Sequence, residues 1–179
     1  MKILSLAASN SRQSINRQLV KFAGEMYNTE IDPSAEIELI DLNDYEMPIY
    51  SIDREKENGI PELAKIFKDK IRQSDGILIS FAEHNGNVTA AYKNLFDWTS
   101  RINPKVYQGK PAVLLSTSPG ARGASSSLGI VKSSAPYAGL DVKAALSVAS
   151  FYNNFDLESD RITNSEIQAQ LETVLAALN

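Results

Sequence analysis

Three apolar runs in this chain stop abruptly at small polar residues. Ile3 to Ala8 is followed by Ser9-Asn10-Ser11-Arg12-Gln13-Ser14, Ile77 to Ala82 by Glu83-His84-Asn85-Gly86-Asn87, and Ala112 to Leu115 by Ser116-Thr117-Ser118-Pro119-Gly120. Between the runs the hydrophobic period changes from that of a strand to that of a helix. Ile15, Leu19, Phe22, Ala23 and Met26 share one face of a first helix, and Leu63, Ile66, Phe67 and Ile71 define a second with Pro61 at its first position. A third helix turns Val88, Tyr92, Leu95 and Phe96 inward and leaves Lys93, Asp97 and Arg101 as a solvent stripe. The last opens on a Thr163 and Glu166 capping box and buries Ile167, Leu171, Val174, Leu175 and Leu178. Strand and helix patterns alternate throughout, which predicts an α/β fold with a parallel sheet.

The character of each run predicts its place in that sheet. Strands covered on both faces read as continuous apolar runs, whereas edge strands alternate. The first, third and fourth runs are continuous. The second sets Ile37 and Leu39 among Glu36, Glu38 and Asp41, and the fifth sets Val142, Leu146 and Val148 against Lys143 and Ser147, so both belong at edges. With right-handed crossovers, a doubly wound five-stranded parallel sheet of order 2-1-3-4-5 satisfies these constraints. The three polar loops then lie side by side at the carboxyl ends of the central strands, where open parallel sheets bind ligands. The stretch from Asn43 to Ile60 is polar and loop-like, and longer than an idle connection requires. No internal repeat or second-domain boundary interrupts the pattern, so residues 1–179 are expected to form one domain.

Composition narrows the chemistry. The chain has no cysteine, which removes disulfides, thiolate nucleophiles and iron-sulfur clusters together. Any redox chemistry must come from a borrowed cofactor. An excess of 22 acidic over 18 basic residues gives a formal charge of -4, too little basic character for a nucleic-acid footprint. No apolar run approaches the roughly 20 residues of a membrane span, and the first run is too short, and too soon followed by polar residues, for a signal peptide. The expected setting is cytoplasmic. A single histidine, His84, leaves no multi-histidine metal site.

Each loop has two readings. The first lies where backbone N–H groups and the helix dipole favour an anion, and Ser9, Ser11, Ser14, Asn16 and Arg12 could surround a phosphate monoester. Alternatively, Ser14 simply caps the first helix and the other serines are solvated. In the second, Gly86 permits a turn that allows close approach to a flat ligand, while His84 and Glu83 read equally as surface polar residues. The third, Ser116 to Gly123, is an ordinary strand-to-helix connection taken alone and a third wall beside the other two.

These residues resemble the NADPH-dependent FMN reductase family of flavodoxin-like proteins, which includes quinone, chromate and azo-dye reductases. The segment Ser9 to Arg17 is similar to the family's Ser, basic, Ser-x-Asn-Arg phosphate loop. Glu83 to Asn87, running into Lys93-Asn94-Leu95-Phe96-Asp97-Trp98, is similar to its P-E-Y-N-G loop and L-K-N-x-x-D-W helix, and Ser116 to Gly123 to its S-x-S-P-G-x-x-G turn. The resemblance implies phosphate contacts at Ser9, Ser11, Arg12, Ser14, Ile15 and Asn16. It implies isoalloxazine contacts at Ala82, Glu83, His84, Asn85 and Gly86, and ring-edge contacts at Ser116, Thr117 and Ser118. It implies FMN as cofactor, NADPH or NADH as donor, a ping-pong cycle with a small-molecule acceptor, and a homodimer or homotetramer. On that resemblance the flavin is expected to carry the chemistry, with no catalytic side chain and no metal. Ala8, Ala82, His84 and Ala124 depart from the family's usual glycine, proline, tyrosine and glycine. A non-enzymatic flavodoxin-like electron carrier is the rival reading, but its acidic surface and Thr-rich phosphate loop are missing. A receiver domain would need an aspartate where Phe81-Ala82 stands.

Overall fold

The continuous apolar runs become the inner strands of the sheet and the alternating ones its edges. The computed structural model describes residues 1–179 and forms a five-stranded parallel sheet of order β2-β1-β3-β4-β5. Its strands are β1 (Lys2–Ala8), β2 (Glu36–Ile40), β3 (Gly76–Phe81), β4 (Lys110–Thr117) and β5 (Leu140–Val148). β3 is buried at every residue, whereas Asp141 and Lys143 of β5 are exposed. This is the order expected from strand character, in the flavodoxin-like arrangement. β5 carries one irregularity: Ala112 pairs with Val142 but Val113 pairs with Ala144, so Lys143 bulges out of the ladder.

Side-chain alternation along the inner strands divides the core in two. Leu4, Leu6, Ile77, Ile79 and Leu114 pack against α3 (Glu62–Gln73), α4 (Ala90–Ile102) and α5 (Ser125–Ala138). Ile3, Ala7, Leu78, Val113 and Leu115 pack against α1 (Ile15–Met26) and the C-terminal α7 (Ser165–Ala176). Within the first half the hydroxyls of Tyr92 and Tyr107 meet at 2.7 Å, and burial pushes both phenols above their usual range, that of Tyr92 to about 12.

Four local expectations need correction. α7 is capped by Asn164, whose Oδ1 accepts from the N–H groups of Glu166 and Ile167, and Thr163 lies outside the cap. An asparagine at this position satisfies two orphan amides at once, leaving no role for the capping box. Pro61 is the N-cap of α3, one position before its first helical residue. Val88 precedes α4, whose N-cap is Thr89. The Asn43 to Ile60 stretch contains a 3-10 turn (Leu42–Tyr45) and the helix α2 (Ile52–Asn58), neither carrying a long enough hydrophobic stripe to be visible in the sequence. This stretch is fastened to α4, since Trp98 Nε1 donates to Pro48 O at 2.7 Å and Asn94 both donates to Met47 O and accepts from Tyr50 N.

The carboxyl rim is tied together by one buried side chain. Asn16, in the first turn of α1, donates from Nδ2 to Thr117 O at 3.1 Å. Its Oδ1 accepts from Thr117 N at 3.1 Å and from Ser80 Oγ at 2.7 Å. One amide therefore joins the loop after β1 to the ends of β3 and β4. Thr89 adds a second tie, its hydroxyl donating to Ala8 O at 3.0 Å.

Asn16→Ala would leave the buried N–H and C=O of Thr117 unpaired and is expected to cost about 2–4 kcal/mol of stability. Asn16→Asp, which keeps the shape but places carboxylate against Thr117 O, should cost a similar amount. Urea denaturation checks both, and a midpoint unchanged from wild type would remove Asn16 from this role.

Candidate flavin site

The three loops converge as the topology requires. They line a cleft of about 230 Å³ on the carboxyl rim, with Ser9, Ser11, Gln13, Ser14, Ile15 and Asn16 on one side and Thr117, Ser118 and Pro119 on another. Ala82, Glu83 and His84 meet them from the end of β3, and Tyr152 completes the lining. Of the residues singled out in the sequence, Arg12, Asn85, Gly86 and Ser116 lie beside this cleft and not in its wall. Arg12 is exposed and makes no ion pair within the chain. Ser116 is fully buried, its hydroxyl donating to Gly123 O at 2.7 Å.

In the first loop, capping leaves the serine hydroxyl protons free. Ser14 is the N-cap of α1, and its Oγ accepts from Arg17 N at 3.2 Å. Ser9 Oγ accepts from Ser11 N, and Ser11 Oγ from Gln13 N. Each hydroxyl oxygen thus receives a backbone amide, while its own proton has no acceptor within the chain. The amides of Ile15 and Asn16, at the first turn of α1, are also without an internal partner. Three O–H donors and two helical N–H donors therefore face a cleft with no lysine or arginine in its wall. That donor set fits a phosphate ester held by hydrogen bonds and the helix dipole. Asn16 enters through its backbone alone, because its side chain is occupied by Thr117 and Ser80.

The second loop is a tight turn. His84 and Asn87 exchange both backbone hydrogen bonds, at 2.9 and 3.1 Å, around Asn85 (φ 54°) and Gly86 (φ 76°). Two successive positive φ values define the type I′ geometry that an Asn-Gly pair favours. The turn leaves the amides of Glu83, Asn85 and Gly86 without internal partners. Glu83 is a special case. Its carboxylate reaches away to the first turn of α5, accepting from Ser126 N at 3.0 Å and Ser127 N at 3.1 Å. It caps that helix from a distant loop, a role its position in the sequence could not disclose.

The third loop is held from behind. Thr117 Oγ1 donates to Val148 O at 2.7 Å, Ser150 N to Gly120 O at 2.9 Å, and Phe151 N to Ser118 O at 3.1 Å. Gly123 (φ 55°) allows no side chain, since a Cβ there would lie 2.5 Å from Ser147 Oγ. Ala124, where the family often has glycine, also adopts a left-handed conformation (φ 61°). Gln13 and Pro119 lay within the loops marked in the sequence but were not named as contacts. Tyr152 carried no signal, since it follows an edge strand outside every motif.

A sequence model described as NADPH-dependent FMN reductase matches residues 1–150. An NADPH:quinone oxidoreductase of Arabidopsis thaliana is 32% identical over 123 residues, covering 69% of this chain and 61% of that protein. NADH-dependent flavin reductase subunit 2 of Lactobacillus johnsonii is 32% identical over 128 residues, covering 70% of this chain and 64% of that protein. The chain thus aligns with under two thirds of the length of these relatives. Among solved structures, the flavoenzyme NAD(P)H:(acceptor) oxidoreductase of Paracoccus denitrificans superposes with a TM-score of 0.81 at 23% identity, covering 99% of this chain and 94% of that one. An FMN-dependent NADH-azoreductase of Bacillus anthracis, in complex with FMN, has a TM-score of 0.69 at 15% identity, with both chains fully covered. These likenesses establish the shared fold. Because the matched residues 1–150 include all five strands and all three rim loops, the chain belongs to the NADPH-dependent FMN reductase family, a flavodoxin-fold group that works with FMN and NAD(P)H.

Proposed function

We propose that residues 1–179 form one FMN-binding domain that acts as an NAD(P)H-dependent oxidoreductase. The observation that carries this reading is the set of unpaired donors on adjoining loops, hydroxyls and helical amides in the first and turn amides in the second. Bound FMN would supply the redox chemistry, taking a hydride from NADPH or NADH and passing electrons to a quinone, azo compound, oxyanion or flavin in a ping-pong cycle.

The chain's own residues bind and orient. Ser9, Ser11 and Ser14, with the amides of Ile15 and Asn16, receive the phosphate, and Arg12 lends positive charge from the loop's outer side. The cleft wall is formed mainly by the serine loop, the first turn of α1 and the turn after β4, so the ring system of a bound FMN would extend from it along the rim toward the second loop. There the amides of Glu83, Asn85 and Gly86 face its polar edge and favour added negative charge. Ala82 and His84 would flank the ring and Thr117 and Ser118 would support its far edge, while Ser116, buried behind them, acts only by holding the turn through Gly123 O. Because no ionisable side chain is needed at the reacting atoms, we assign no catalytic residue. Supplies of NAD(P)H are intracellular, which favours a cytoplasmic setting.

We also propose self-association, as a homodimer or homotetramer. An apolar groove of about 420 Å³ runs between α4 and α5, lined by Val88, Phe96, Ile130, Val131 and Tyr137, the last of which is 80% exposed. Sedimentation velocity should show a dimer or larger species, and Ile130→Asp should shift it toward monomer. A monomeric wild type at tens of micromolar would overturn this.

The purified chain should bind FMN and oxidise NADPH or NADH when a quinone is added, as followed by nicotinamide absorbance. A chain that leaves FMN unbound at micromolar concentrations ends the reading. Glu83→Ala, which frees the second loop from α5, should weaken FMN about tenfold, the equivalent of roughly 1.4 kcal/mol. Riboflavin, which lacks the phosphate, should weaken by the same factor in a fluorescence titration.

A further inference from the structure

Tyr152 lies just beyond the residues matched by the family model, yet it lines the cleft. It follows β5 on the short helix α6 (Phe151–Asn154) and is 57% exposed. Such exposure is unusual for an aromatic side chain on a segment held this firmly. Phe151 N donates to Ser118 O, Ser150 N donates to Gly120 O, and Asn154 Nδ2 donates to Ala149 O at 2.9 Å. Beneath the tyrosine the rings form a ladder. Tyr152 packs edge-on against Phe151 at 5.5 Å, Phe151 stacks on Phe155 at 4.6 Å, and Phe155 meets Phe22 of α1 edge-on at 6.1 Å.

The backbone that leads into α6 is strained. Ser150 adopts φ 49° and ψ 56°, a left-handed conformation costing a non-glycine residue about 1–2 kcal/mol. Strain of this kind persists where surrounding contacts over-determine it, and it clusters at binding sites. Here it turns the chain so that Tyr152 meets the wall formed by Ser118 and Pro119.

Which part of the cofactor the tyrosine meets follows from the rest of the lining. Six of the cleft's residues come from the loop after β1 and the first turn of α1, and the Asn85-Gly86 tip of the ring loop is not among them. This is the phosphate end. Its wall holds no lysine or arginine, so a phosphate there leans on the neutral donors it can gather, with Arg12 only at the outer side. The phenol O–H of Tyr152 has no partner within the chain.

We propose that Tyr152 is a further cofactor-binding residue whose hydroxyl donates to the FMN phosphate from beside Ser118 and Pro119, slowing release of the flavin. The inference rests on the FMN reading of the cleft, and a comparison of two flavins separates the two. Tyr152→Phe keeps the ring ladder and removes only the donor. Fluorescence titration of the apoprotein with FMN should show Tyr152→Phe binding about 5–10-fold more weakly than wild type, with a matching rise in the stopped-flow release rate. Titration with riboflavin should give the same affinity for both proteins. Equal FMN affinity in wild type and Tyr152→Phe would overturn the proposal, and so would a parallel loss for riboflavin, which would make Tyr152 a ring contact. A wild-type chain that binds neither flavin would instead overturn the FMN reading itself.

Discussion

The rim of this sheet depends on one buried amide. Parallel strands are joined by hydrogen bonds only within the ladder, and nothing in that ladder fixes the loops that leave its carboxyl ends. Asn16 supplies the missing constraint by presenting a donor and an acceptor to the two backbone groups of Thr117, while accepting the hydroxyl of Ser80. An amide is suited to this task, because a carboxylate would offer no donor and a hydroxyl could not span both backbone groups. The place of the first loop in the site depends on the resulting register. The first turn of α1, with its free amides, is held against β3 and β4, and the cleft exists because those three elements cannot drift apart.

The first loop shows how a short sequence can serve structure and binding together. A serine hydroxyl has lone pairs to accept and one proton to give. In Ser9, Ser11 and Ser14 the oxygen accepts a nearby backbone N–H, which fixes the loop, and that same bond leaves the proton available to the cleft. The capping and phosphate readings of Ser14 were therefore never exclusive. This arrangement also accounts for the lack of a lysine or arginine in the wall: donors preorganised by the backbone do not have to be ordered when the ligand arrives.

Strand order was legible because burial writes itself into composition. The unbroken run Ile77 to Phe81 could only be covered on both faces, and the alternation around Ile37 and Leu39 marked an edge. The three loops were legible for the same reason, each being a sharp change from apolar to polar at a strand end. Long-range side-chain pairings were not. Glu83 reads as a solvated carboxylate until α5 is known to begin beside it, and the Asn16 side chain reads as a ligand contact until Thr117 is found against it. Local competition hid the rest. Thr163 and Asn164 are both good caps, and only the path of the chain decides between them. Tyr152 belongs to no period or motif, so its place could come only from the turn at Ser150.

The position of Glu83 bears on how the second loop treats charge. A helix N-terminus presents a partial positive charge, and α5 begins beside Glu83 of the second loop, where we propose that the ring lies. Left bare, that end would favour a negative ring whichever way the loop amides pointed. The Glu83 carboxylate bonds to the amides of Ser126 and Ser127, so the helix end is already compensated. The amides of Glu83, Asn85 and Gly86 remain as the uncompensated donors of that loop. Their orientation is fixed by the type I′ turn at one end and by the Glu83 anchor at the other. In the proposed site, control of charge on the ring would fall to three short-range N–H groups, which act over hydrogen-bond distance, because the positive end of α5 is already occupied by a carboxylate.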